Sequence, residues 1–478
     1  MKKHIELRSF FLVIIFGLFV FACSSEGGTD PNDPIFDDIG DEGGVSGDIA
    51  FDITLKVDAT DGVNINPDIF GVNNDWRRVP NTGFSTFTNT LEDMGLNSKV
   101  FRFPGGWESE FYAWTSNTTP NWKDAPAEPG ASVSALKENF NNYSIVIPTV
   151  DAMNTNPGSS QWNNAIQKLE QVAENAIVAS GIDNGIVEIG NEWWLQWAGG
   201  VSRAQKLDKY VKIAMEIAEH LDEKFPNHTF KLLVNGDYTF PDEFTTMKQK
   251  FTKAYDVIDG VALHTYTGYT TNTHNIKDLE KRIIDCANNF NSNKNFKYLS
   301  EWMPSRDYNE RSLYMEVANI IPDIIHIYAR SGSEAAAYWP PVNTPVPGLG
   351  LTNWNFSKIF PTGQILGEMA SEYKGKALKT TSNTFHIAAA LQDASTMVLY
   401  VTGARESSKK VGVKVDGFTI TSIESVHRFV PFDYNDTAKA EPYITEVASA
   451  KLSSNNEVVF DINKEGLYQI YKIILKGN

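Results

Sequence analysis

The sequence predicts an α/β protein built around a closed (β/α)8 TIM barrel, with a β-sandwich domain after it. Eight short apolar runs recur between residues 65 and 345, and helical patterns separate several of them. Apolar rather than alternating strands are typical of a parallel sheet that is covered by helices. From residue 377 onward the pattern changes to seven short alternating strands with no helix between them, which indicates a sandwich.

The barrel prediction depends on the order of the elements. The predicted strands are Asp68–Val72, Ser98–Phe103, Tyr143–Thr149, Ile186–Ile189, Lys231–Val234, Gly260–His264, Lys297–Ser300 and Ala335–Trp339. The predicted helices include Trp162–Ser180, Arg203–Lys224, Phe244–Asp256, Asn275–Asn291 and Ser312–Ser331. The alternative is a doubly wound open sheet, which should carry a glycine-rich phosphate loop after its first strand. The stretch Gly71-Val-Asn-Asn-Asp-Trp-Arg77 has no such loop, which favours the barrel.

The N-terminal segment has the composition of an export signal. Basic residues precede an apolar run from Phe10 to Ala22, which is too short and too asymmetrically flanked for a stable membrane span. The run ends at Cys23, and Val20-Phe-Ala-Cys23 resembles the lipobox of bacterial lipoproteins, whose cysteine is lipidated after cleavage. An ordinary signal peptide with an incidental cysteine is the alternative. The resemblance implies an exported outer-membrane lipoprotein, at the cell surface or on the periplasmic face, that touches the membrane only through its lipid.

The charge of the chain limits the kinds of molecule that it is expected to bind. Residues 24–50 contain eight acidic residues and neither Lys nor Arg, so this segment cannot bury enough apolar area to fold and is interpreted as a tether. The whole chain carries a formal net charge of -17, which disfavours nucleic acid as a partner. The acidic residues of the tether miss the spacing of a calcium loop, and no metal or other cofactor is expected.

These observations divide the chain into five predicted segments. They are a lipoprotein signal peptide (1–22), an acidic glycine-rich linker (23–50), a strand that joins the β-sandwich (51–64), the barrel (65–376) and the β-sandwich (377–478). The sandwich is interpreted as a buttress for the barrel, because few of its aromatic residues have an exposed pattern. An accessory sugar-binding module is the alternative.

Polar or aromatic residues follow every predicted barrel strand, at the end where barrel enzymes place their active sites. The groups are Asn73–Trp76, Arg102–Trp107, Asp151–Asn154, Asn191–Trp194, Asn235–Tyr238, His264–Tyr266, Glu301–Trp302 and Trp339. The fourth and seventh groups each place a glutamate beside tryptophan. A carboxylate can move protons, an amide can hold a hydroxyl, and an indole offers a flat face to a sugar ring. The pattern therefore predicts a carbohydrate site with Glu192 and Glu301 at its centre.

Two of these groups resemble a known clan of enzymes. Asn191-Glu192 after the fourth strand and Glu301 after the seventh are similar to the acid/base and nucleophile of clan A, the retaining (β/α)8-barrel glycoside hydrolases. The run Arg102-Phe-Pro-Gly-Gly106 resembles α-L-arabinofuranosidases and their β-glucuronidase and xylosidase relatives, and agarase-type members of the clan are a further comparison. The resemblance covers residues 65–345, and these motifs leave the family within the clan open.

The resemblance implies roles for the neighbouring residues. Asn191 would hold the 2-hydroxyl of the sugar, and Trp339 would lie under the sugar ring at the point of cleavage. Of His264 and Tyr266, the tyrosine would donate a hydrogen bond to the nucleophile. Arg102 and Tyr266 would favour the charged form of Glu301, whereas indoles around Glu192 would raise its pKa by desolvation. The predicted substrate-binding residues are thus Arg102, Asn191, His264, Tyr266, Trp302 and Trp339.

The expected function is retaining hydrolysis of a polysaccharide or oligosaccharide by two glutamates. The tryptophan-rich loop from Trp193 to Trp197 suits a long cleft, which favours endo action on a β-linked polymer such as an agar-type galactan, a β-glucan or a xylan. An exo-acting enzyme similar to α-L-arabinofuranosidases is the alternative. A non-catalytic carbohydrate-binding lipoprotein is the alternative from another class, and the presence of both glutamates disfavours it.

Overall fold

The computed structural model describes residues 51–119, 126–195, 201–251, 256–267, 275–291, 294–304, 314–342, 349–382, 386–402, 409–432, 441–462 and 468–478. The predictions for the signal peptide, the linker, Cys23 and Trp197 lie outside the described residues. Within the part of the chain that is described, no helix combines the length and the hydropathy needed to cross a bilayer.

Eight parallel strands close into a barrel, as the sequence predicts. The strands are β2 (Gly71–Asn73), β3 (Phe101–Phe103), β4 (Tyr143–Ile147), β5 (Ile186–Ile189), β6 (Lys231–Asp237), β7 (Gly260–Thr267), β8 (Phe296–Pro304) and β9 (Ala335–Tyr338). They pair in chain order, and β9 returns to pair with β2 in parallel. The carboxyl ends of all eight strands therefore meet at one face of the barrel, and the loops that follow them form its mouth.

Helices occupy the connections between the strands. They are α1 (Phe84–Asp93), α2 (Val133–Asn139), α3 (Val150–Met153), α4 (Ser160–Ser180), α5 (Arg203–Lys224), α6 (Pro241–Lys250), α7 (Leu279–Asn291), α8 (Tyr314–Ala318), α9 (Ile321–Arg330) and α10 (Pro361–Glu372). The single helix predicted over Ser312–Ser331 is two helices in the structure. Pro322 lies in the first turn of α9, where its missing N–H costs nothing; further inside one long helix it would remove a hydrogen bond.

The first barrel strand is shifted from its predicted position. Residues Pro67–Phe70 form a short 3-10 helix, and the strand begins only at Gly71. Asn66 accepts a hydrogen bond from the Asp68 N–H and caps this turn, while Pro67 fixes the backbone of its first residue.

The barrel interior has an apolar lower layer and a polar upper layer. The lower layer includes Ile186, Leu233, Ala262 and Tyr298, which form one buried cluster. The upper layer is polar, and its buried members include Asn73, Arg102, Glu188, Asn235 and Ser300. Buried polar groups require hydrogen-bond partners, so the upper layer must form a connected network.

The remaining strands form one sheet that folds over its own core. They are β1 (Ile53–Asn64), β10 (Lys376–Ser382), β11 (Ile387–Asp393), β12 (Thr396–Val401), β13 (Lys409–Asp416), β14 (Ile420–Val430), β15 (Ile444–Val447), β16 (Ala450–Leu452), β17 (Glu457–Ile462) and β18 (Ile470–Gly477). The order is β15-β14-β18-β12-β11-β10-β1-β13-β17-β16. Strands β14 and β16, from opposite ends of this order, contact one another, and a common apolar core lies between the two halves as in a β-sandwich.

The N-terminal strand β1 belongs to this sheet. It pairs antiparallel with β10 and parallel with β13. Its inward residues Ile53, Leu55 and Val57 are buried in the sandwich core. The chain therefore passes through the sandwich before it enters the barrel.

Candidate active site

Strand β5 and the turn after it place the central glutamate. Ile186 and Glu188 point into the barrel, because alternate residues of a strand share one face. After the strand, Gly190 and Glu192 both have left-handed backbones, with φ of 79° and 46°. Such a backbone is ordinary for glycine but costs free energy at a glutamate, and cost of this kind is concentrated at functional sites.

Arg102, on β3, lies at the centre of the hydrogen-bond network of the polar layer. Its Nε donates to Glu188 at 2.7 Å, and its Nη2 donates to the Asn191 Oδ1 at 2.8 Å. Its Nη1 donates both to Asn73 at 3.0 Å and to Glu301 Oε1 at 2.6 Å. One guanidinium thus joins the ends of β2, β3, β5 and β8. It fixes Glu301 from behind, since the Arg102 side chain has no exposed surface.

Glu188 neutralises part of that charge. Besides Arg102, it accepts hydrogen bonds from Asn235 at 2.7 Å and from the Ser300 hydroxyl at 2.8 Å. Burial opposes its ionisation, but the charge of Arg102 and that of the nearby His264 outweigh burial and lower the pKa of Glu188. Glu188 is therefore a charged structural partner of Arg102.

Glu192 and Glu301 face each other across His264. Carboxylate oxygens of both residues and a ring nitrogen of His264 lie within 4.8 Å of one another. The His264 Nδ1 is 3.1 Å from Glu192 Oε1 and 3.4 Å from Glu301 Oε2. The Tyr266 hydroxyl donates to Glu301 Oε2 at 2.5 Å, so both oxygens of Glu301 accept hydrogen bonds.

The two glutamates have different electrostatic surroundings. Burial raises the pKa of Glu192, and the nearby charges of Glu301 and Asp237 raise it further, although His264 acts in the opposite sense. Burial also disfavours charge on His264, but Glu301, Glu188 and Glu192 outweigh this and raise the pKa of His264 to about 10. The site therefore combines Glu192, whose raised pKa favours the protonated carboxyl group, with Glu301, whose two oxygens accept hydrogen bonds from Arg102 and Tyr266. That pair can give a proton to a leaving group and attack from the other side.

Half-buried aromatic side chains surround this pair. Trp194 packs edge-on against His264, with ring centroids 5.7 Å apart. Tyr266 and Trp339 are also half-buried, in contrast to the fully buried polar layer. Trp339 approaches the backbone so closely that a Cβ on Gly106 would lie 2.4 Å from its Cη2. Only glycine fits at position 106, and this loop holds the indole at the mouth of the barrel.

The predicted contact between Trp302 and substrate is wrong. The Trp302 side chain is 0% exposed and packs between Tyr328 and Tyr338, with ring centroids at 5.4 and 4.8 Å. The prediction ends the seventh strand at Ser300, whereas β8 continues to Pro304. Neighbouring residues of a strand face opposite sides, so Glu301 serves the interior and Trp302 the helix layer.

The other predicted contacts divide into two groups. Arg102 and His264 lie behind the glutamates, with side chains 0% and 1% exposed, and position them. Asn191 is also buried, with its Oδ1 toward Arg102, and its binding of a sugar hydroxyl stays a prediction. Tyr266 and Trp339 remain the predicted residues with accessible surface at the mouth.

Two residues that organise the site were given no role by the sequence. Asn235, at a strand end, accepts the Glu192 N–H at 2.9 Å and donates to Glu188. Glu110, in a 3-10 helix after β3, is buried and accepts the N–H groups of Thr149 at 2.6 Å, Val150 at 2.8 Å and Asn191. Glu110 thus ties the ends of β4 and β5 together directly before Glu192.

Replacing Glu110 by alanine is expected to destabilise the protein by about 3 kcal/mol, because it leaves buried N–H groups without an acceptor. Glu110→Gln keeps one acceptor oxygen and should cost less. Urea unfolding monitored by tryptophan fluorescence measures both, with the exposed Glu92→Ala of α1 as the matched control. Equal stability of Glu110→Ala and Glu92→Ala would show that Glu110 does not hold the two strands.

Glu192, His264 and Glu301 have the donor atoms of a divalent metal site and lie close enough together to form one. A ring nitrogen binds a metal only without its proton, however, whereas His264 Nδ1 lies at hydrogen-bond distance from Glu192 Oε1 and the surrounding carboxyl groups raise the pKa of His264, which favours the protonated ring. The hydrogen bonds of the three groups instead fit proton transfer.

No protein-family model matches the chain, and no curated protein matches it by sequence. Solved structures do match. A family 51 α-L-arabinofuranosidase from Bifidobacterium longum has a TM-score of 0.61 at 13% identity, covering 89% of this chain and 100% of that one. A bifunctional glucanase-xylanase from a metagenome library has a TM-score of 0.60 at 12% identity, covering 89% and 99%. A family 86 β-porphyranase from Bacteroides plebeius has a TM-score of 0.56 at 13% identity, covering 89% and 77%.

These structural neighbours are glycoside hydrolases of clan A, the clan that the sequence motifs resemble. At 12–13% identity the likeness establishes the fold, a TIM barrel with an accompanying β-sandwich. The neighbours differ in the sugars that their names give, so they leave the substrate of this chain open.

Proposed function

We propose that this protein is a retaining glycoside hydrolase that cleaves a β-linked polysaccharide internally, with Glu301 as nucleophile and Glu192 as acid/base. The observation that carries the proposal is the pair of carboxyl groups, whose oxygens lie within 4.8 Å of one another. Retaining enzymes hold their two carboxyl groups about 5–5.5 Å apart, whereas inverting enzymes need about 6.5–9.5 Å to admit a water molecule.

The surroundings of the two groups support this division of labour. Glu301 Oε1 accepts from Arg102, and Oε2 accepts from the Tyr266 hydroxyl, which orients the carboxylate for attack on the anomeric carbon. Glu192 has a raised pKa and a side chain 17% exposed at the mouth, where a glycosidic oxygen can reach it. In the first step Glu192 protonates the leaving oxygen while Glu301 bonds to the sugar. In the second step Glu192 takes a proton from water, which displaces Glu301.

A panel of polysaccharides tests the proposal: agarose, porphyran, barley β-glucan, xylan and arabinan, with aryl α-L-arabinofuranoside as the exo substrate. We expect early release of mixed oligosaccharides from one β-linked polymer. Proton NMR of the first product should show the anomer of the substrate, because two inversions at one carbon restore its configuration. Release of arabinose alone would support the exo alternative, and an inverted first product would exclude double displacement.

Anchoring at the outer membrane through a lipid on Cys23 is part of the same proposal, and the lipobox-like Val20-Phe-Ala-Cys23 supports it. Cys23→Ala should move the protein from the membrane fraction to the soluble fraction of cells, because the acyl chains are its expected hold on the bilayer. Cys286→Ala is the matched control, since Cys286 is a buried thiol on α7. A Cys23→Ala variant that still sediments with outer membrane would contradict the lipid anchor.

A further inference from the structure

A groove beside the candidate active site is lined by residues other than the two glutamates. Its cavity measures about 440 Å³, within the range of about 300–1,000 Å³ for small-molecule sites. One side consists of Arg77 and Arg78, in the loop after β2, and the other consists of Trp354 and Phe356, in the loop after β9. Because β2 and β9 are neighbours in the barrel, the groove lies at the same mouth as the active site.

Trp354 is presented to solvent by a rigid turn. Its side chain is 73% exposed, an unusual exposure for the largest apolar side chain. The turn is closed by the Phe356 N–H donating to the Asn353 carbonyl at 3.0 Å, and the Thr90 hydroxyl donates to the Phe356 carbonyl at 2.9 Å. Phe356 itself is buried against Phe87. The backbone that carries the exposed indole is therefore held in place before any ligand arrives, which reduces the ordering cost of binding.

Glu108 connects this groove to the wall that carries Trp339. Its Oε1 is 3.5 Å from the Arg77 Nε. On its other side, a Cβ placed on Gly106 would lie 2.9 Å from Glu108 Oε2 and 2.4 Å from Trp339 Cη2. Trp339 and the groove thus border one short loop, Gly106 to Glu108.

The charges of the groove favour an uncharged ligand. Arg78 is paired with Asp75 at 2.6 Å, and Arg77 lies against Glu108. Glu128 also lines the groove. Two arginines thus face three acidic residues, so the guanidinium groups can donate to hydroxyls but offer no excess positive charge to sulfate or carboxylate.

We propose that this groove is a distal subsite, in which a neutral sugar unit of the substrate chain stacks on Trp354 while another unit lies between the glutamates. The proposal rests on the proposed function and deepens it, because a second subsite at the mouth requires a substrate several units long. Arg77 and Arg78 donate hydrogen bonds to the hydroxyls of the stacked unit.

The test measures binding apart from cleavage. Glu301→Gln, which stops turnover, is run in native gels that contain agarose, barley β-glucan, xylan or sulfated carrageenan, alone and combined with Trp354→Ala. Phe432→Ala is the matched control, since Phe432 is 55% exposed on the sandwich. We expect one neutral glycan to retard Glu301→Gln and its Phe432→Ala combination equally, and the Trp354→Ala combination about tenfold more weakly. Equal retardation of all three, retardation by carrageenan alone, or retardation by no glycan overturns the subsite.

Kinetics separates this inference from the proposed function. In the catalytically intact chain, Trp354→Ala should lower kcat/KM for xylohexaose, cellohexaose or neoagarohexaose, whichever is cleaved, by about tenfold more than for the matching aryl glycoside. If the wild type cleaves the hexasaccharide and Trp354→Ala behaves like Phe432→Ala, the subsite is wrong and the hydrolase stands. If no glycan is cleaved but retardation depends on Trp354, the hydrolase is wrong and the subsite stands.

Discussion

Replacing Glu301 by alanine is expected to lower kcat by at least about 10⁴-fold, because Glu301 is the carboxylate that we propose as the nucleophile of the covalent intermediate. The fold should survive the change. Arg102 keeps its bonds to Glu188, Asn73 and Asn191 when Glu301 is lost, so its charge does not become unpaired. Turnover of an aryl glycoside by the purified variant, with circular dichroism as the check on folding, measures the effect.

Added azide makes the result specific for a nucleophile. In Glu301→Ala the anion fits the space left by the carboxylate and attacks the anomeric carbon once, so the glycosyl azide should have the configuration opposite to the substrate. Glu92→Ala, on the exposed face of α1, is the control for expression and handling. Residual turnover above about one per cent of wild type, or a retained azide product, would contradict the assignment of Glu301 as nucleophile.

The sequence predicts the barrel and both glutamates because their signals are local. Each strand is a short apolar run, and each glutamate follows such a run, so strand count and strand ends suffice to bring Glu192 and Glu301 together. Asn191 and Arg102 follow in the same way, since parallel strands meet at one edge. The structure adds that Arg102 bonds to Asn191 and Glu301 at once.

The local pattern of the sequence does not show where the pairing of the strands is irregular. Register shifts occur between Ala262 and His264, and between Leu299 and Trp302. The first brings His264 opposite Glu301, and the second lets Ser300 and Glu301 both serve the interior, as β-bulges near active sites do. The prediction for Trp302 is wrong because it ends the strand at Ser300, whereas β8 continues to Pro304 and turns Glu301 and Trp302 to opposite sides.

The role of Glu110 could not be predicted from the sequence, for a different reason. Its partners are backbone N–H groups of Thr149, Val150 and Asn191, far away in the chain. Every residue except proline carries such a group, so nothing in the sequence marks these as partners. The role of Glu110 is therefore recognised only in the structure, where these buried N–H groups donate to its carboxylate.

The second large expected effect is the loss of activity on replacing Glu192, and its size should depend on the leaving group of the substrate. Glu192→Ala should lower kcat/KM by about 10³-fold or more for a natural glycan, whose alkoxide must be protonated, but far less for a dinitrophenyl glycoside, which leaves without a proton. The variant should still form the intermediate on Glu301, so azide should give a glycosyl azide with retained configuration.

The pH dependence of kcat/KM is a second test of Glu192 as the proton donor. Burial and the charges of Glu301 and Asp237 raise the pKa of Glu192, so its proton stays bound above the ordinary range of a glutamate and leaves as pH rises. Wild-type kcat/KM for a natural glycan should therefore fall on the alkaline side as pH passes that raised pKa, and this fall should be absent in Glu192→Ala with the dinitrophenyl substrate. Asp237→Asn removes one of the raising charges and should move the fall to lower pH. An alkaline fall that persists unchanged in Glu192→Ala, or equal losses on both substrates, would assign the proton to another group.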